Sequence, residues 1–337
     1  MQKVLPTINP PFNYCPIFDS IMSIIYTDLH LHKSEIINNF IKLHYNLNFK
    51  FPITFMEDIL CYEMQTLCFS SIPKDIAFLY QDFIELVKSC INNNKYIMLN
   101  TDVFYISQYS YYQTYHTPHV LFIYGYDDDK NSFYCADYFD FTHYTHKECT
   151  YEEVRHSYSN AAPTYDFVPG MLLINSNNNL KTRDNTEPVF NVNINKIYTD
   201  LETTLNATNL KTTNYGNGLL VFQDLINRLD FICKENIPPM LSQNFCFIKV
   251  HILLMRYRAI YFNDIMPSNE LRGIIVDIDE ILKLSDITIV LNIKSNSMFA
   301  DNLCFHQQYN KMIQNLRIIE FKYRLIIKRF LIYLESL

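Results

Sequence analysis

Asn175 to Pro188 (NSNNNLKTRDNTEP) is polar, asparagine-rich and free of apolar periodicity, and the hydrophobic pattern of the chain changes across it. A stretch with nothing to bury reads as a linker or exposed loop. Beyond it nearly every apolar residue recurs at helical spacing, over about 193–206, 218–235, 242–264, 268–283 and 306–335. In the last of these, Met312, Leu316, Ile319, Tyr323, Ile326 and Phe330 make one apolar stripe. Arg317, Arg324 and Lys328 fall on another face, which reads either as solvated surface or as a landing place for an acidic partner. At 337 residues the chain is long enough for two cores. The division expected is a first domain over residues 1–175, a connector over 176–189 and a helical domain over 190–337.

The first part mixes periods. Helical spacing covers 15–28, 33–44 and 74–93, with a short helix near 150–157. Strands are expected over 51–55, 96–106 and 167–174, and as a hairpin between them. Helices first and antiparallel strands after make the expected class α+β.

Two places in that part carry chemistry. Pro10 and Pro11 keep the N-terminal segment extended, and Pro16 suits the first position of a helix, which leaves Cys15 at the N-cap. Unpaired amides and the positive end of the helix dipole then face the sulfur and favour thiolate, the nucleophilic form. Downstream, His119 opens the apolar run HVLFIYGY, Asp127 to Lys130 form a turn, and Asn131 to Asp137 (NSFYCAD) return. A His at the start of one strand and an Asp at the end of its antiparallel neighbour lie side by side. The carboxylate would then hold the imidazole in the tautomer that deprotonates a thiol. The other cysteines, 61, 68, 90, 135, 149, 233, 246 and 304, read as small apolar residues.

The order Cys, His, Asp is similar to that of papain-like cysteine peptidases. The segments NPPFNYCPIFDSIMSIIY and HVLFIYGYDDDKNSFYCADYF resemble the butirosin biosynthesis protein H family, over roughly residues 4–175. That resemblance implies a papain-like core and an acyltransferase. Such an enzyme moves an acyl group from a carrier-protein thioester, through a cysteine acyl-enzyme, to an amine, in non-ribosomal peptide-like or polythioamide pathways. It implies Cys15 as nucleophile, His119 as base and Asp137 as orienting carboxylate. The enzyme would hold no cofactor of its own, the phosphopantetheine being carried by the partner. Its partners would be an acyl or peptidyl carrier protein and a small amine. A peptidase or thioesterase using the same three residues, and an inactive binding protein, are the competing readings.

Papain-like sites usually take an oxyanion donor from a Gln several residues before the Cys, and residues 5–14 contain none. Asn9 occupies the corresponding place and Asn13 is the nearer alternative. Tyr112, Tyr115 and His116 precede His119, and Tyr138 follows Asp137. They suit the walls of a pocket for a flat or extended acyl chain, or they simply pack. His116-Thr117-Pro118-His119, His143-Tyr144-Thr145-His146 and His30-Leu31-His32 lack the spacing of a zinc site, so no metal is expected.

Composition narrows the rest. Nine irregularly spaced cysteines argue for reduced thiols and a cytoplasmic setting, and the start MQKVLPTINPPFNY does not read as a secretory signal. A net charge of −7 without a basic run argues against nucleic acid, and no apolar run is long enough to span a membrane. Five glycines, without GxGxxG or GxxxxGK[ST], remove the dinucleotide and P-loop readings.

Overall fold

In the computed structural model the run from His119 to Asp137 folds as a hairpin, β6 (Pro118–Asp127) and β7 (Ser132–Asp137), joined by the turn at Asp128. The structure describes residues 1–12, 15–46, 53–55, 64–80, 82–162, 170–176, 192–207, 215–235, 242–301 and 305–337. Around the hairpin stand β1 (Gln2–Val4), β4 (Leu67–Ile72), β5 (Tyr96–Asp102), β8 (Thr145–Thr150) and β9 (Met171–Ser176). The seven strands form one antiparallel sheet in the order β4-β9-β5-β6-β7-β8, with β1 pairing the far end of β6. Helices α4 (Phe83–Asn92) and α5 (Tyr151–Asn160) pack on β5, and α1 (Pro16–Ile25) packs on β6 and β7. The Tyr158 ring stacks on Phe83 at 5.0 Å and binds α4 to α5.

A β-bulge in β6 decides what the hairpin presents. From the turn, Asp127 pairs with Ser132, Tyr126 with Phe133 and Gly125 with Tyr134; past the bulge, Ile123 pairs with Cys135 and Phe122 with Ala136. The extra residue is Tyr124. Without it, Phe122 would face Asp137, and that side chain would lie on the opposite surface from His119. With it, Asp137 falls opposite Leu121 and shares a face with His119. Gly125 makes room for β1 here: a Cβ would sit 2.8 Å from the Lys3 carbonyl oxygen and 3.1 Å from the Val4 Cα. Gly125→Ala is therefore expected to cost about 1–3 kcal/mol and to lower the midpoint of a thermal melt by several degrees. A melt unchanged within one degree would contradict this.

The chain forms two compact units. The first joins Met1–Glu35 to Ile59–Val189, and the second joins Ile36–Asp58 to Phe190–Leu337. The boundary lies inside α2 (Leu29–Asn38), so residues 36–58, expected in the first domain, cluster with the C-terminal half. In the second unit a small antiparallel sheet is ordered β10 (Tyr215–Asn217), β2 (Leu43–Asn46), β3 (Ile53–Phe55). Its helices are α6 (Ile194–Leu205), α7 (Leu220–Glu235), α8 (Gln243–Ile265), α9 (Asn269–Ala300) and α10 (His306–Glu335). The stripe from Met312 to Phe330 is buried where α10 packs on α6, α7 and α9. Arg317 and Lys328 are exposed, whereas Arg324 binds the Leu205 carbonyl and Glu320, each at 3.2 Å. Among the described residues no helix is long and apolar enough to cross a membrane.

Several element boundaries differ from expectation, each for a local reason. The helix expected over 33–44 ends at Asn38, because Phe40 takes a left-handed φ of 61° and residues 43–46 find strand partners far along the chain. The helix expected over 74–93 is two: α3 (Lys74–Leu79) stops where Tyr80 turns extended. Asp82 then caps α4 by accepting from the Ile84 and Glu85 amides at 2.9 and 3.2 Å. Helix α9 continues to Ala300 rather than ending near 283. Ser176 closes β9, and residues 177–189 of the expected connector lie outside the described residues.

Candidate active site

Cys15 is the N-cap of α1, with φ −154° and ψ 154°, and Pro16 takes the first helical position. It makes no side-chain cap hydrogen bond, although the Phe18 and Ile17 amides lie near enough to favour thiolate. The residue is half-buried. Burial pushes the thiol well above its ordinary value, the Asp19 charge one helical turn on adds to this, and Asp137 adds a little more. The expected dipole-stabilised thiolate is therefore reversed. A helix end offers only about half a unit of positive charge, and here burial and a full carboxylate outweigh it.

His119 and Asp137 come together: Nδ1 lies 2.6 Å from Oδ2, with Asp137 fully buried. In a neutral imidazole held by a carboxylate, Nδ1 donates and Nε2 keeps the lone pair. Asp137 is over-determined. Its Oδ2 also accepts from the Tyr109 hydroxyl, and its Oδ1 accepts from the Tyr138 amide at 2.7 Å. Tyr109 packs edge-on against the imidazole, with ring centroids 5.7 Å apart. Burial, and next the Asp137 charge, drive its phenol upward, so it remains a donor.

The three expected residues therefore divide. His119 and Asp137 form a hydrogen-bonded dyad, and Cys15 stands close enough to Asp137 for that charge to act on its thiol. Among the described residues no hydrogen bond joins Cys15 to His119, and the Nε2 of His119 has no hydrogen-bond partner. Apo catalytic contacts are commonly long and tighten when substrate binds.

Asn9 does not reach an oxyanion position. The Ile8 amide donates to the Ser23 carbonyl at 3.3 Å, near the C-terminal end of α1, and eight helical residues are about 12 Å of axial rise from Cys15. Asn9 instead borders an open groove with Tyr124 and His146. Asn13 lies outside the described residues. Tyr138, expected as a pocket wall, is only 6% exposed, and its hydroxyl is committed to Asp19. Tyr112 and Tyr115 are exposed, and His116 is exposed but tethered, its Nδ1 2.7 Å from the buried Asp102. A run of rings leads outward from the dyad: Phe141 meets His119 at 5.5 Å, Tyr111 meets Phe141 at 4.6 Å and Tyr115 meets Tyr111 at 5.4 Å. Phe141 holds a left-handed φ of 59°, rare for a bulky residue, inside a turn where Asp140 accepts from the Thr142 and His143 amides at 2.8 and 2.9 Å.

Sequence reasoning missed Asp19 and Tyr109. Asp19 had a signal, four residues after Cys15 on the same helical face; Tyr109 was one tyrosine among many. Among the described residues no group of three or more His, Cys, Asp or Glu is placed to hold a metal ion, and His116 and His119 turn to different carboxylates. No protein-family model matches the chain, and a search of curated proteins returns no match.

Proposed function

We propose that this chain is a cysteine-dependent acyltransferase of papain-like core that joins an acyl group to an amine. The observation that carries the reading is the buried, triply hydrogen-bonded Asp137 holding His119, with Cys15 at a helix mouth within reach of the same carboxylate's field. His119 Nε2 takes the thiol proton as the sulfur attacks a thioester carbonyl. The Cys15 backbone N–H steadies the oxyanion, and the carrier thiol departs with the proton from His119. An amine then attacks the acyl-enzyme, His119 accepts its proton, and the Cys15 sulfur leaves and takes that proton back. The rings of Phe141, Tyr111 and Tyr115 offer a surface for an acyl chain beside His119. The donor is a pantetheinylated carrier protein in a cytoplasmic thiotemplated pathway, and the enzyme needs no cofactor of its own.

Intact-mass measurement with a model acyl-pantetheine tests the reading. The wild-type protein is expected to gain the mass of one acyl group and Cys15→Ala to gain none, with added amine discharging the adduct as an amide. Free acid released at a rate indifferent to amine would make the protein a hydrolase. An unchanged wild-type mass would remove the reading altogether.

A further inference from the structure

We propose that Asp19 and Tyr138 are positioning residues that tie the helix carrying Cys15 to the strand end carrying Asp137; the inference rests on the Cys15–His119–Asp137 reading. Asp19 is fully buried, and its amide donates to the Cys15 carbonyl at 2.9 Å in the first turn of α1. The Tyr138 hydroxyl donates to Asp19 Oδ2, while the Tyr138 amide donates to Asp137 Oδ1 at 2.7 Å. One residue thus bonds both carboxylates, with its side chain on the helix and its backbone on the dyad. A second tie runs beside it: Ser20 Oγ lies 2.9 Å from the Tyr144 hydroxyl, and the Tyr138 and Tyr144 rings meet at 5.8 Å.

The placement has a chemical consequence as well as a mechanical one. A carboxylate buried without need is expensive, so Asp19 calls for a role beyond packing. Cys15 on its own helix and Tyr138 and Tyr144 from the strand side face it, with Asp137 beyond Tyr138. Burial is the first cause that opposes ionisation of the neighbouring sulfur, and the Asp19 charge adds to it, keeping the nucleophile protonated until His119 receives the proton. A thiol held this way resists oxidation and stray alkylation between turnovers.

Alkylation by iodoacetamide, followed by the mass of the Cys15 peptide from pH 6 to 10 on the full chain, reads this without any acyl donor. Asp19→Asn keeps the shape and removes the charge. It is expected to raise the rate at pH 8 by about tenfold and to move the profile down by about one pH unit. Tyr138→Phe should move the profile the same way by less, because a buried carboxylate that loses its donor takes up a proton. The double variant should add little to Asp19→Asn alone. Circular dichroism checks the fold. If Asp19→Asn does not fold, Tyr138→Phe, which removes one oxygen, decides the matter. Profiles superimposed on the wild type in folded variants would overturn the proposal. Shifted profiles in a protein that forms no acyl adduct would keep it and discard acyl transfer.

Discussion

Asp137→Asn is expected to slow acylation of Cys15 by about 10³–10⁴-fold while the protein still folds. The effect follows from which donor meets which oxygen. Oδ1 accepts the Tyr138 amide, a backbone N–H that cannot turn away. Oδ2 accepts His119 Nδ1 and the Tyr109 hydroxyl, and a hydroxyl can rotate to accept instead of donate. An asparagine must put its NH₂ on one side. Facing the Tyr138 amide it would bury two opposed donors, at a cost of about 1–3 kcal/mol. It therefore settles where Oδ2 stood and donates to Nδ1. That places the imidazole proton on Nε2, so the nitrogen meant to receive the thiol proton already holds one. Tyr109→Phe leaves the His119 bond in place and should slow the reaction only about tenfold or less. Single-turnover acylation rates, with circular dichroism as the control, check both. An Asp137→Asn rate within tenfold of wild type would mean that Asp137 does not orient the base.

What the sequence made legible was local. Pro16 before an apolar helix is enough to place Cys15 at an N-cap, because proline geometry and capping depend on adjacent residues. An apolar run broken by the polar turn Asp127–Lys130 is enough to place a hairpin, and with it two residues near one strand end. The bulge at Tyr124 was not legible. A hairpin with or without it shows the same apolar run and polar turn, yet only the bulged register sets Asp137 on the face of His119. The state of the thiol was illegible for a related reason. The dipole is read from the helix itself, whereas the burial that opposes it depends on how distant parts of the chain pack around Cys15. Likewise, residues 43 and 44, the last of the helix expected over 33–44, lie in a strand because its partners sit at Tyr215–Asn217 and Ile53–Phe55, and no window around residue 44 contains the first of these.

Arg258→Met is expected to destabilise the second unit by about 3–5 kcal/mol, which should lower its melting midpoint by about 10 °C. Helix α2 ends at Asn38, and the carbonyls of its last turn have no partners within the helix. Arg258, on α8 and only 1% exposed, supplies them from more than two hundred residues away. Its Nε reaches the Ile37 carbonyl at 3.0 Å, and one terminal nitrogen bonds the Ile36 carbonyl at 3.0 Å and that of Asn39 as well. The guanidinium meets the negative end of α2 and satisfies three buried acceptors at once. Methionine fills the volume and satisfies none of them. Lysine keeps the charge but lacks the planar fork, so Arg258→Lys should recover only part of the loss. Two turns earlier on α8, His251 performs the same service for Ile41, its Nε2 lying 2.6 Å from that carbonyl while Nδ1 lies 2.8 Å from the Tyr323 hydroxyl. Burial presses this imidazole down to about 3, the Ile41 bond opposes that shift, and the Arg258 charge adds to it. A lowered native value means that the unfolded chain binds the extra proton first. The stability from neutral His251 is thus complete above about pH 6.5 and falls by about 1.4 kcal/mol per unit as pH drops toward 3. Thermal melts of wild type, Arg258→Met and His251→Gln at pH 7 and pH 4.5 check both statements. His251→Gln should be less stable than wild type at pH 7 yet lose less on acidification. An Arg258→Met midpoint within 3 °C of wild type would show that the α2 carbonyls are satisfied without the guanidinium.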